Sequence, residues 1–236
     1  MPHPDIELFQ PMSPATVRPL DGVPGFCAVA RDAQFRLVWC NDEYARQIDS
    51  KPANLQGQTI ADIMPKPLAE ERMAFMRPAL EQGTMIAYQQ FWVGQRWLTR
   101  VWPLDPEYLG HEGYFVIITK LSEPIRRQSG DAVPVVRFLR SAHLGDLGVL
   151  SPRELEMFYY LAAGMTVGDI AKAVHRSEKT IGRHVEHIHK KMNYNSRAEL
   201  VRDAVQRGLI AYTHREWLDL VERRKGPESE YPPRKY

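Results

Sequence analysis

The amino-acid sequence predicts an α+β chain: an antiparallel sheet with flanking helices, followed by an all-α module of four helices. Three observations carry that expectation. Strand-length apolar runs separated by turn residues fill Met85 to Thr119. Between Ser151 and Glu199, four hydroxyl residues each open a short amphipathic run. Charge divides in the same way: residues 1–122 hold 11 Lys and Arg against 14 acids, and residues 123–236 hold 20 against 15, a net of −3 beside one of +5. At 236 residues, with 44% hydrophobic and 25% charged side chains, the chain has the length of two domains and an ordinary globular composition. The expected boundaries are an N-terminal extension over 1–18, a first domain over 19–122, a linker over 123–143, a helical domain over 144–211, and a helix with a disordered tail over 212–236.

In the first domain, Phe26 to Ala30 and Phe35 to Trp39 flank Arg31-Asp32-Ala33-Gln34 and read as a hairpin. Asn41 then caps a short helix containing Tyr44-Ala45. A longer helix is expected from Pro67 to Gln82, closed by Gly83. Met85 to Trp92, a Val93-Gly94-Gln95 turn, Arg96 to Trp102 and Tyr114 to Thr119 complete one sheet, covered by helices on one side. The pattern is lost from Glu123 to Asp131, and Val135 to Ala142 reads as a short helix or arm. A hairpin turning at Ala33-Gln34 would set Cys27 opposite Cys40; two reduced core cysteines are the expected outcome, with a redox pair as the alternative. Trp92, Trp97 and Trp102 could line a ligand pocket, although regular spacing along strands more often marks a core or an interdomain face, and their role is left open.

The helical starts are Ser151-Pro152-Arg153-Glu154, Thr166-Val167-Gly168-Asp169, Ser177-Glu178-Lys179-Thr180 and Ser196-Arg197-Ala198-Glu199. The first and last have the form of a capping box, in which Glu three places on returns a bond to the cap's own N–H. The second is an imperfect box ending in Asp, and the third offers only its Ser177 cap. Leu155, Phe158, Tyr159 and Ala162 form the stripe of the first helix, which Gly164 ends. Ile170, Ala171 and Val174 face inward from the second, His175-Arg176 makes a tight break, and Ile181, Val185, Ile188 and Met192 stripe the third. Two helices joined by so short a turn make a helix-turn-helix. Trp217, Leu218, Leu220 and Val221 give one further stripe, and the tail from Gly226 to Tyr236 has the composition of a disordered segment.

From Lys172 to Arg197 seven Lys and Arg stand against Glu178 and Glu186, a surplus of five. His184, His187 and His189 could add donors there. A narrow basic helix suits the DNA major groove, where phosphates give salt-sensitive affinity and an Arg can grip guanine in bidentate fashion. A solvated basic face on a helical bundle would carry the same charge.

The stretch Leu150 to Glu154, then Ala163-Gly164-Met165-Thr166, Asp169-Ile170-Ala171, Ser177, Thr180-Ile181 with His184, Ile188, Lys191-Met192 and Arg197-Ala198-Glu199-Leu200, resembles the LuxR-type DNA-binding domain. The resemblance implies that the third helix enters the major groove and that the fourth, about Ser196 to Arg207, supports dimerisation. Carried over position by position, it makes Lys179, Thr180, Arg183, His184, His187, Lys190 and Lys191 the candidate DNA contacts. Two positions depart from it. Gly182 and Glu186 stand where the family often has basic residues, which leaves Arg183 as the best base reader. Glu186 could accept from a cytosine amine or simply weaken phosphate binding.

Upstream, Asp32, Asn41, Gln56-Gly57, Asp62-Ile63-Met64, Gly83, Arg96-Trp97 and Pro103, in that order of strands and helices, resemble a PAS domain over about Asp21 to Leu121. That resemblance implies a sensor of a small molecule, light or redox state, or a dimer platform. A flavin-adduct photoreceptor is rejected, since Cys40 precedes Asn41 at a strand end and lies in no asparagine-cysteine-arginine helix motif. Haem would need an axial ligand such as His on the long helix, which has none, and His111 falls in a loop. No metal cofactor is expected. A small organic ligand, or a filled core, remains.

No phosphate loop, nucleophile elbow or metalloprotease helix is present, so no enzyme is expected. The expected function is that of a dimeric, sequence-specific transcriptional regulator, cytoplasmic and without a membrane anchor. Its partners would be double-stranded DNA, a second copy of the chain and RNA polymerase. The alternative is a protein-interaction adaptor whose DNA-binding module has decayed.

Overall fold

The computed structural model describes residues 14–110, 112–122 and 137–223. The expected tail from Gly226, the start of the linker at Glu123 and His111 lie outside the described residues. Two compact units emerge, one drawn from Met1–Gln90, Trp97–Lys120 and Gly130–Leu139, the other from Phe91–Arg96, Leu121–Ser129 and Arg140–Tyr236.

The first unit is built on β1 (Phe26–Asp32), β2 (Leu37–Cys40), β3 (Ile86–Trp92), β4 (Gln95–Pro103) and β5 (Gly113–Lys120). The sheet runs in the order β2-β1-β5-β4-β3, and a sixth strand, β6 (Arg137–Ala142), takes the edge beside β3. Of the stretch expected as a short helix or arm, Arg137–Ala142 is a strand at the sheet edge, where pairing satisfies its backbone, and Val135 and Val136 lie outside the described residues. β1 pairs antiparallel with both β2 and β5, and β5 with β4. Short helices α2 (Asp42–Gln47), α3 (Pro52–Leu55) and α4 (Ile60–Ile63) lead into the long α5 (Lys66–Glu81), within a residue of the predicted bounds, and α6 (Pro106–Leu109) links β4 to β5.

Asn41 does the double duty expected of a cap. Its side-chain oxygen accepts from Tyr44 N–H in the first turn of α2 and from Ala28 N–H on β1, while its amide donates to Phe26 O. The sheet is covered on more than one side. A short N-terminal helix, α1 (Pro14–Val17), brings Val17 against Ala28, Ala30, Leu104 and Phe115, so both faces of β1 are buried where one was expected. On the opposite face of β1, Arg31 is buried and donates to Phe35 O, Gln58 O and Tyr44 OH. Deeper in the unit the guanidinium of Arg72 holds Gln90, which in turn donates to Thr99. Burial drives the Arg72 guanidinium below its ordinary range.

The register of the first hairpin also differs from expectation. Val29, not Cys27, faces Cys40, because the turn slides toward Phe35 and a bulge falls between Ala30 and Arg31. The Asp32 carboxylate causes the slide by accepting from both Gln34 N–H and Arg36 N–H, and Phe35 takes a left-handed φ of 64°. The ring of Phe35 is then buried, stacked on Tyr114 at 4.7 Å. Both cysteines are buried and free, and burial pushes the Cys27 thiol up to about 12 and that of Cys40 up to about 11. Trp97 is a core residue with the Lys120 ammonium 5.5 Å from its ring centre, and Trp92 and Trp102 are half-buried.

In the second unit, α7 (Pro152–Ala162), α8 (Val167–Ala173), α9 (Glu178–Met192) and α10 (Arg197–Gln206) follow the four predicted starts, and α11 (His214–Arg223) follows them. Two caps behave differently from expectation. Thr166 closes a full box with Asp169 despite the shorter side chain, whereas Glu199 reaches past Ser196 to the N–H of Asn195. Ser151 with Glu154 and Ser177 with Thr180 N–H form as predicted. Leu150, Leu155, Phe158, Leu161, Ile170, Ile188 and Leu200 make the core of the unit. Trp217 on α11 is fully buried, donates from its indole N–H to Leu155 O and meets Phe91 edge-on at 5.6 Å. α11 is thus the further helix that the Trp217 stripe predicts, packed beside the four helices of the module. No helix among the described residues is long and apolar enough to cross a membrane.

Candidate nucleic-acid interface

α8 and α9 meet through the break at His175, which sits at φ 52°, a left-handed value that ends one helix and aims the next. Ser177 caps α9 from outside by accepting from Thr180 N–H at 3.2 Å. Inward, Ile181 and Ile188 are buried, with Val185 and Met192 half-buried between and beyond them. That spacing of four, three and four fixes the opposite stripe as Lys179, Arg183, Glu186 and Lys190, all exposed. Among the described residues Lys172, Arg176, Lys179, Arg183 and Lys190 make no ion pair, so their charges face outward unneutralised.

The predicted contact residues do not all lie on that stripe. Lys179, Thr180, Arg183 and Lys190 are exposed, and the Thr180 hydroxyl lies 2.9 Å from that of Ser177. His184 is half-buried on the flank. Lys191 and His187 turn toward α7: the Lys191 ammonium donates to Glu154 at 2.7 Å, and His187 Nδ1 lies 3.7 Å from the same carboxylate. His189, read as an additional donor, instead faces Tyr194 O at 3.0 Å and secures the end of the helix. Asn193 in the left-handed region at φ 56° stops the helix there.

Sequence reasoning missed the role of Glu154. It was read only as the third residue of a capping box, and it does accept from Ser151 N–H at 2.7 Å, but its other work is to anchor α9 on α7. Burial by itself would raise this carboxyl, yet the Lys191 and Ser151 donors outweigh it and hold the group below the ordinary carboxylate range. A second anchor also escaped notice. Arg207 at the end of α10 binds Asp203 at 2.6 Å and Asp146 at 2.7 Å, and the Tyr194 hydroxyl donates to Asp203. The i,i+4 spacing of Asp203 and Arg207 was a usable signal for half of that network.

Comparisons with known proteins match two stretches of the chain. Residues 148–204 match the family model described as bacterial regulatory proteins, luxR family, and residues 20–126 match that of the PAS fold. A stretch of 64 residues is 39% identical to the oxygen regulatory protein NreC of Staphylococcus epidermidis, covering 27% of this chain. The chain spans 29% of the length of that curated relative. Among solved structures, VqmA of Vibrio cholera in complex with ligand and DNA is similar at 16% identity, over 88% of this chain and 93% of that one, with a TM-score of 0.44. A domain of an HTR-like protein from Haloarcula marismortui is 18% identical over 41% of this chain and 98% of its own, with a TM-score of 0.38.

Proposed function

We propose that this chain, which joins a PAS fold to a luxR-family DNA-binding domain, is a sequence-specific transcriptional regulator that lays α9 in the major groove of duplex DNA. The observation that carries the reading is the stripe of Lys179, Arg183 and Lys190, exposed, without an ion pair among the described residues and directly opposite the buried stripe of the same helix. Lysines in such a position meet phosphates, and Arg183, one turn into the helix, is placed for a base edge. Thr180 and His184 extend the face on one flank. His187 and Lys191, the remaining expected contacts, are held by Glu154, and in this reading they seat α9 on α7 while the other five residues meet the DNA.

In this reading residues 144–211 supply the output and residues 19–122 the input, and the chain acts in the cytoplasm by binding rather than by catalysis. It works as a homodimer on a two-fold operator, whose half-site spacing the dimer sets, and it acts on RNA polymerase from there. The input is a small organic ligand held by the first unit.

The test is selection of sites from random duplex DNA with the full chain, followed by binding of wild type and Arg183→Ala to the enriched site over a range of salt. A palindrome should be enriched, and Arg183→Ala should lose about 1–3 kcal/mol and relax one base position. Absence of enrichment, with salt-insensitive capture of a protein instead, would replace this reading with that of an adaptor.

A further inference from the structure

Glu186 is the one acid on the outward stripe of α9, and no side chain among the described residues pairs with it. It is exposed, with Arg183 three residues before it and Lys190 four after it, both within reach on a helix surface. Yet among the described residues it forms no ion pair with either. Gly182 stands four residues before Glu186, on the same face. A glycine inside a helix costs up to about 1 kcal/mol relative to Ala, and here no packing demands it: a Cβ built at Gly182 meets nothing within 4 Å. The two departures are thus one surface feature, a bare turn of helix followed by a carboxylate.

We propose that Gly182 and Glu186 together read a cytosine in each operator half-site. This rests on the DNA-binding reading above and names what one part of the helix recognises. A carboxylate carried into the phosphate-lined groove is repelled unless it meets a donor. The major groove offers donors only at cytosine N4 and adenine N6. Adenine sets its N7 acceptor beside N6, where the second carboxylate oxygen is unwelcome, while guanine and thymine present acceptors. Cytosine alone offers a donor with no competing acceptor on the same base. The Glu side chain is shorter than that of Arg or Lys, so the helix must approach closely for it to reach a base edge. The missing side chain at Gly182 permits that approach on the Glu186 side.

The experiment is site selection from random duplex DNA with the full-length wild type, Glu186→Ala, Glu186→Gln, Gly182→Ala and Arg183→Ala, with thermal unfolding of each. Wild type should require a C·G pair at one position of each half-site. Glu186→Ala should lose that requirement alone, with discrimination there falling about 5- to 150-fold. Glu186→Gln should move the preference at the same position toward adenine, whose N6 and N7 a Gln amide can engage together. Gly182→Ala should unfold at higher temperature and still bind the selected site several-fold more weakly.

Unchanged preferences at every position in Glu186→Ala, with tighter binding to all sequences alike, would overturn the proposal and leave Glu186 as a brake on phosphate contact. That result would keep the regulator reading, because Arg183→Ala would still change its own position. Failure of the wild type to enrich any sequence would remove both.

Discussion

Replacing Lys191 decides whether the end of α9 belongs to the fold or to the DNA contact. Its ammonium donates to Glu154 at 2.7 Å, and Glu154 is 3% exposed while the Lys191 side chain keeps 40% of its surface. A charge-assisted hydrogen bond contributes about 1.5–3 kcal/mol when shielded and a surface pair about 0.2–1, so Lys191→Ala should destabilise the second unit by about 0.5–1.5 kcal/mol. Glu154→Ala removes the same pair and also the acceptor of Ser151 N–H, which brings the expected loss to about 1.5–3 kcal/mol. Glu154→Gln keeps an oxygen for the cap and should fall between them. Urea unfolding followed by circular dichroism, with the Glu154→Gln, Lys191→Ala double variant, should give a coupling of about 0.5–1 kcal/mol. On DNA, Lys190→Ala should lower the slope of log affinity against log salt by about 0.9, one phosphate's worth, and Lys191→Ala should leave it unchanged. No coupling to Glu154, together with a slope reduced by about 0.9 in Lys191→Ala, would refute the reasoning and return Lys191 to the contact set. The acid limb gives an independent check. Because the Glu154 carboxyl is held below its ordinary range, its stabilisation is complete above about pH 4.3 and is lost as pH falls through the lower folded value. The stability gap between wild type and Glu154→Gln should therefore close in acid.

Trp217→Ala should cost about 3–5 kcal/mol, since a fully buried indole leaves a cavity among Phe91, Tyr159 and Tyr212, and should abolish DNA binding through unfolding although it lies beyond the matched domain. Trp217→Phe, which keeps most of the volume but loses the indole N–H bond to Leu155 O, should lose about 0.5–1.5 kcal/mol by thermal unfolding. Thiol reagents at pH 8 should leave Cys27 and Cys40 unlabelled in the native protein and label both in urea, because burial holds both thiols protonated. Labelling of the native chain at the rate of a free thiol would show the first hairpin to be open. Gly208→Ala should destabilise by more than about 2 kcal/mol, since its φ is 75° and a Cβ there would lie 2.1 Å from Leu121 O.

What was legible in the sequence was local. Cap, stripe and breaker all act within one or two helical turns, so Ser151, Thr166, Ser177 and Ser196 announce their helices, and His175 and Gly164 their ends. The outward stripe of α9 follows from the inward one by arithmetic, which is why Lys179, Arg183 and Lys190 could be named beforehand. Even local rules left choices open. A Glu at the third helical position can return its bond to the cap or to the residue before it, and Glu199 took Asn195.

Interactions closed by the fold were not legible. Glu154 and Lys191 are 37 residues apart, and Arg207 and Asp146 61, so no periodicity joins them. The first hairpin shows the boundary between the two kinds of information most sharply. Counting residues between Cys27 and Cys40 set them face to face, because an even spacing about Ala33-Gln34 is the simplest hairpin. The real turn is chosen by competition. Asp32 can satisfy two backbone N–H groups only if the loop runs on to Arg36, and Phe35 can bury its ring on Tyr114, a residue 79 positions later, only in that same loop. The local half of that decision was written in Asp32 and the distant half was not, and the outcome sets Cys40 opposite Val29, two residues along β1 from Cys27. The same reasoning bears on α9. Its charges are local and visible, but which of them remain free for DNA depends on what α7 has already claimed, and Glu154 claims from the C-terminal half of the helix while the N-terminal half, with Lys179 and Arg183, is left open.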